Sequence, residues 1–128
     1  MPHITIEYSA NVADVTDVQA LVDVVHERAL ATGIAPLLGL RTRATRVEHY
    51  AIADRRPENM FLAVTARLGA GRSAADKHRF IEALLDAVDT HLGTAQATMA
   101  ISVEYTEIDR EFRLNKNNLR SAADRSHE

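Results

Sequence analysis

Ile4, Ile6 and Tyr8 alternate with Thr5 and Glu7. A period of two marks a strand with one side on a core, here His3–Ser9. The period then lengthens. Val18, Leu21, Val22, Val25 and Ala29 form one apolar stripe at helical spacing. Thr16 and Gln19 have the spacing of a capping box at its start, and Gly33 is the natural residue to end it. Ile34–Leu40, with Pro36 and Gly39, reads as a loop, and a second strand is expected from about Thr42 to Ile52. Asp54–Asn59, with Pro57, is a polar linker.

The same order recurs beyond the linker. Phe61–Leu68 reads as a strand and Gly69–Arg72 as a tight turn. Ser73 is placed as N-cap of a second helix, with Asp76 at its third position. Ile81, Leu84, Leu85, Val88 and Leu92 supply that helix's stripe, Gly93 its stop, and Met99, Ile101, Val103 and Tyr105 a fourth strand. Two helix caps followed by matching elements suggest a two-copy repeat, βαβ over about residues 2–52 and again over 60–108. Parallel strands in each unit, joined by right-handed crossovers, give a four-stranded sheet with both helices on one face. The fold class is α+β. The opposite face carries Thr5, Glu7, Ala100, Ser102 and Glu104. These residues are too small or polar for a second core and suit contact with other copies of the chain.

Composition narrows the class. The 128 residues are 46% hydrophobic and 26% charged, as expected of one globular domain. No apolar run approaches the roughly 20 residues needed to span a bilayer, and MPHITIEYS lacks the basic and apolar regions of a signal peptide. A cytoplasmic protein without a membrane partner is expected. Cysteine is absent, which excludes disulfides, zinc–thiolate sites and thiol catalysis. A net charge of −3 argues against a nucleic-acid partner. Of the 15 basic residues only Lys77 and Lys116 are lysines. Arginine holds carboxylates and phosphates through a planar fork that lysine lacks, so the ligand class indicated is a small anion.

Pro2 is the first candidate for chemistry. A small second residue permits removal of Met1, leaving a prolyl secondary amine directly ahead of a strand. Nearby positive charge and partial burial both lower an amine's pKa, and such a group is a general base near neutral pH. Many chains begin Met-Pro for no chemical reason, and with Met1 retained the nitrogen is an amide and cannot act. Arg41, Arg43 and Arg46 cluster at the second strand, the first two sharing a face. They read either as anion ligands or as a solvated edge that resists aggregation. Arg72 opens a helix from a glycine-rich turn, where backbone N–H groups and the helix dipole favour an anion; the alternative is a plain surface turn. No histidine has metal-ligand spacing, although His3 adjoins Pro2. Gly69-Ala70-Gly71 lacks the third glycine of a dinucleotide fingerprint.

MPHITIEYS, ATGIAPLLGLRTR, LGAGRS and LNKNNL together resemble the 5-carboxymethyl-2-hydroxymuconate isomerases of the tautomerase superfamily. The resemblance runs from Pro2 to about Leu119, which implies one domain over 1–119 and leaves 120–128 as a C-terminal tail expected to fray. It implies the tautomerase fold with a duplicated βαβ unit, a homotrimer, and catalysis by the amino-terminal proline without metal or cofactor. The implied substrate is a tricarboxylate dienol, ketonised during homoprotocatechuate (4-hydroxyphenylacetate) breakdown. The same resemblance casts Arg41, Arg43 and Arg72 as substrate-binding residues and places Phe112 near an active-site aromatic. The first repeat has Asn11-Val12 where the family's Gly-Arg is expected, and the second has Gly71-Arg72 but no free amine, so one site per chain is implied. The rival readings are a superfamily decarboxylase or dehalogenase, and a non-catalytic trimeric binding module.

Overall fold

The computed structural model describes residues 1–119; the tail expected at 120–128 lies outside the described residues. The elements are β1 (His3–Ser9), α1 (Val18–Ala31), β2 (Arg41–Val47), β3 (Met60–Gly69), α2 (Ala74–Leu92) and β4 (Met99–Ile108), with short 3-10 turns at Ala10–Asp14 and Gly93–Thr98. The sheet order is β2-β1-β3-β4. β1 runs parallel to β2 and β3 parallel to β4, while β1 and β3 meet antiparallel at the centre. The expected duplicated βαβ architecture is therefore present.

Strand periodicity decides which face is covered. Ile4 and Ile6 of β1, and Leu62, Val64, Ala66 and Leu68 of β3, are almost fully buried. They pack against Leu21, Val25 and Ala29 of α1 and Phe80, Leu84, Val88 and Leu92 of α2, in one continuous core. Phe80 meets Tyr105 of β4 edge-on, with ring centroids 6.2 Å apart. On the other face Glu7, Ala100, Ser102 and Glu104 are exposed.

Three local expectations shift. The α1 cap is Asp17, whose carboxylate accepts from Ala20 N–H; Thr16 is occupied instead by a 3.0 Å hydrogen bond with His91. β2 stops at Val47 because its pairing partner β1 stops at Ser9, and Ala53 and Arg55 then take positive φ in the following loop. The buried face of α2 is turned toward Phe80 and Ala87, leaving Leu85 46% exposed. Asn11 is a clamp: it accepts from Ser9 Oγ at 2.6 Å and donates to Asn59 O at 2.8 Å, tying the end of β1 to the start of β3. Gly33 (φ 74°) and Gly93 (φ 52°) end their helices in the left-handed region, and Ser73 caps α2 as expected.

Candidate active site

Pro2 lies at the head of β1, buried against the loop that precedes β2. Its carbonyl accepts from Arg41 N–H at 3.2 Å. The turn Pro36–Gly39 closes beside it, with Gly39 N–H donating to Pro36 O. A Cβ on Gly39 would lie 3.3 Å from the Pro36 ring and 3.4 Å from the Pro2 ring, so glycine here lets the loop approach the amino terminus closely.

The far end of β3 comes to the same place because β1 and β3 are antiparallel, with His3 opposite Arg67. The Gly69–Arg72 turn therefore faces Pro2. The Arg72 guanidinium donates to Gly69 O and to Ile34 O, each at 3.0 Å, and so joins this turn to the loop after α1. The chain then returns beyond β4. Arg110 donates through Nε and Nη2 to Ala70 O. Arg113 lies against Gly69. Asn117 donates to Leu38 O at 2.8 Å, with the Met1 sulfur 3.7 Å away. Together the amino terminus, the Pro36–Gly39 turn, the Gly69–Arg72 turn and residues 110–117 line an open cavity of about 1020 Å³.

The structure brings Pro2 and Arg72 into this cavity. Arg41 stands at the rim, exposed, opposite His3 and one hydrogen bond from the Pro2 carbonyl. Arg43 is directed elsewhere: its Nη1 is 3.2 Å from His3 Nδ1 on the open face of the sheet. Phe112 is 79% exposed and does not line the cavity. Arg110, Arg113, Asn115 and Asn117 also line the cavity, though the sequence alone does not mark them as ligands. The last two belong to the LNKNNL stretch, which was the available signal.

Electrostatics follow from this placement. The amino-terminal amine, on Met1 in this chain, is held below the ordinary α-amine range, first by burial and then by the charges of Arg113, Arg41 and Arg72. His3 is also lowered, by burial and then by Arg43, Arg41, the amino terminus and Arg67. A base here stays unprotonated to lower pH than the same group in water, and anions are attracted to it. Among the described residues no group of three or more His, Asp or Glu side chains is disposed to hold a metal ion, and no helix is long and apolar enough to cross a membrane.

A strand-borne amino terminus beside an arginine-lined cavity, on a duplicated βαβ sheet, defines the tautomerase fold. A fused 4-OT wild-type symmetric trimer shares it at a TM-score of 0.69 and 19% identity, over 90% of this chain and 92% of that one. The family pattern of 5-carboxymethyl-2-hydroxymuconate isomerase matches residues 2–123, and the chain belongs to that family. It is 31% identical to the 5-carboxymethyl-2-hydroxymuconate Delta-isomerase of Escherichia coli, over 93% of this chain and 96% of the relative. The crystal structure of a 5-carboxymethyl-2-hydroxymuconate isomerase from Deinococcus radiodurans R1 superposes with a TM-score of 0.87 at 30% identity, covering 95% of this chain and 93% of that one. The chain is accordingly an isomerase.

Proposed function

We propose that the processed chain ketonises 5-carboxymethyl-2-hydroxymuconate in homoprotocatechuate degradation, in the cytoplasm, with Pro2 as the one group that moves the proton. Removal of Met1 frees the Pro2 nitrogen. The neutral amine takes the proton of the 2-hydroxyl, and the electron pair spreads through the conjugated dienolate. The Pro2 cation then returns a proton to carbon 5, giving the oxo isomer with no net gain or loss. Arg41 and Arg72 supply positive charge to the developing dienolate and its carboxylates. Arg43 acts at longer range, through His3. The observation that carries this reading is Pro2 itself: a buried proline at the head of a strand, walling an arginine-lined cavity, next to an amine whose pKa is lowered first by burial and then by nearby arginines.

The working form is a homotrimer with one site per chain, built on the sheet face that Glu7, Ala100, Ser102 and Glu104 leave exposed. The trimeric 4-OT neighbour supports this reading through the shared fold. The test is a spectrophotometric ketonisation assay on processed protein, with light scattering for mass. Processed Pro2→Ala should keep the trimer and lose most of the activity, and Met1-retaining protein should be inactive. Wild-type rates in Pro2→Ala would remove Pro2 from the mechanism.

A further inference from the structure

The three arginines that line the cavity are not equivalent. Arg72 has two donors engaged by Gly69 O and Ile34 O. Arg110 has Nε and Nη2 on Ala70 O. Both serve to hold the wall together. Arg113 forms neither a hydrogen bond nor an ion pair among the described residues, although it is half-buried. A guanidinium removed from part of its water and given no protein acceptor is stabilised by an anion that can supply one.

The backbone is shaped for it. Gly69 does not have positive φ, so no conformational demand requires glycine there. What glycine provides is room: a Cβ at Gly69 would lie 2.8 Å from Arg113 Nη1. The bay that seats the guanidinium exists because residue 69 has no side chain. Arg113 also leads the charges that act on the neighbouring amine, so it is near the reacting end of the cavity.

We propose that Arg113 is a substrate-carboxylate ligand, seated by Gly69 and reaching the cavity from the segment after β4. It is a specificity residue for polycarboxylate enols. This rests on the proposed function above. The planar fork accepts one carboxylate of the substrate, while Arg72 keeps the surrounding wall in place.

The experiment measures steady-state ketonisation and, separately, calorimetric binding of the ketonised tricarboxylate product to wild type, Arg113→Ala, Arg113→Lys and Gly69→Ala. Arg113→Ala should weaken product binding and raise KM by roughly 10- to 100-fold, the range for a lost charge-assisted hydrogen bond. Its melting temperature should stay at the wild-type value. Arg113→Lys should restore part of the loss. Gly69→Ala should weaken binding about 3- to 10-fold, a smaller loss than deletion because its Cβ displaces only the flexible end of Arg113. Equal product binding by wild type and Arg113→Ala would overturn this inference alone. So would a loss confined to kcat that vanishes at high pH, since Arg113 would then act only through its field on the amine. Failure of wild type to bind the product would overturn the inference and the proposed function together, whereas full activity in Pro2→Ala with weakened binding in Arg113→Ala would overturn only the proton-transfer role of Pro2.

Discussion

Replacing Arg72 by alanine removes a single guanidinium that bridges two walls of the cavity. Its Nη1 holds Gly69 O and its Nη2 holds Ile34 O, both at 3.0 Å. Hydrogen bonds from a charged donor contribute roughly 1.5–3 kcal/mol each when well shielded. Arg72 is half-exposed, so solvent takes over part of that role and about 1.5–3 kcal/mol for the pair is reasonable. In a chain of this size 1 kcal/mol moves the melting temperature by roughly 3–6 °C, so a fall of roughly 5–15 °C is expected. Activity should fall as well, because the loop beside Pro2 and the turn that faces it lose their tie. A drop of about one to three decades in kcat/KM corresponds to roughly 1.4–4 kcal/mol of transition-state stabilisation. Arg72→Lys separates the two roles: it keeps the positive charge but cannot span both carbonyls, so it should recover activity more than stability. The assays are thermal unfolding by circular dichroism and ketonisation kinetics on the same samples. An unchanged melting temperature in Arg72→Ala, with kcat/KM reduced, would mean that the guanidinium is not engaged by the two carbonyls and is a pure substrate ligand.

His3 should titrate below the ordinary histidine range, and Arg43→Ala should raise its midpoint, because a removed cation no longer disfavours the imidazolium; proton NMR of the imidazole reads this directly, and an unmoved midpoint would separate the pair. Phe80→Ala should cost roughly 3–5 kcal/mol in urea unfolding, since the ring is fully buried against Tyr105; a loss below about 1 kcal/mol would show that the core collapses around the gap. Asn11→Ala should cost roughly 1–2 kcal/mol without changing ketonisation, because its amide ties β1 to β3 far from Pro2; a selective loss of kcat would give the first repeat a catalytic part.

The regular elements were legible because burial imposes a period. Alternation at Ile4, Ile6 and Tyr8 and the glycines at 33 and 93 placed β1 and both helix ends within a residue or two. Errors arose where a long-range partner decides a local choice. Thr16 has a capping-box spacing, but His91 occupies its hydroxyl, and the stronger acceptor Asp17 caps the helix instead. β2 was expected to reach Ile52 but stops at Val47, because a strand needs a neighbour and β1 has ended. Pro2 and Arg72 were legible as candidates because removal of Met1 would make one an amine at a strand head and the other opens a helix from a glycine turn; both line the cavity. Arg110, Arg113 and Asn117 were not. They lie in an irregular segment without a period, and only the tertiary return of the chain past β4 brings them to Gly69, Ala70 and Leu38.

The central claim is that Pro2 is a base tuned by surrounding arginines, and the direct measurement is a nitrogen-15 NMR titration of Pro2 in processed, proline-labelled protein. Burial, and then Arg113, Arg41 and Arg72, raise the energy of a protonated amine at this place, so its midpoint should fall below the ordinary α-amine value of about 8 and coincide with the acidic limb of kcat/KM. Removing Arg41 or Arg113 should move midpoint and limb together toward higher pH. A Pro2 midpoint at or above the ordinary value, or an acidic limb that stays put while the midpoint moves, would contradict the account.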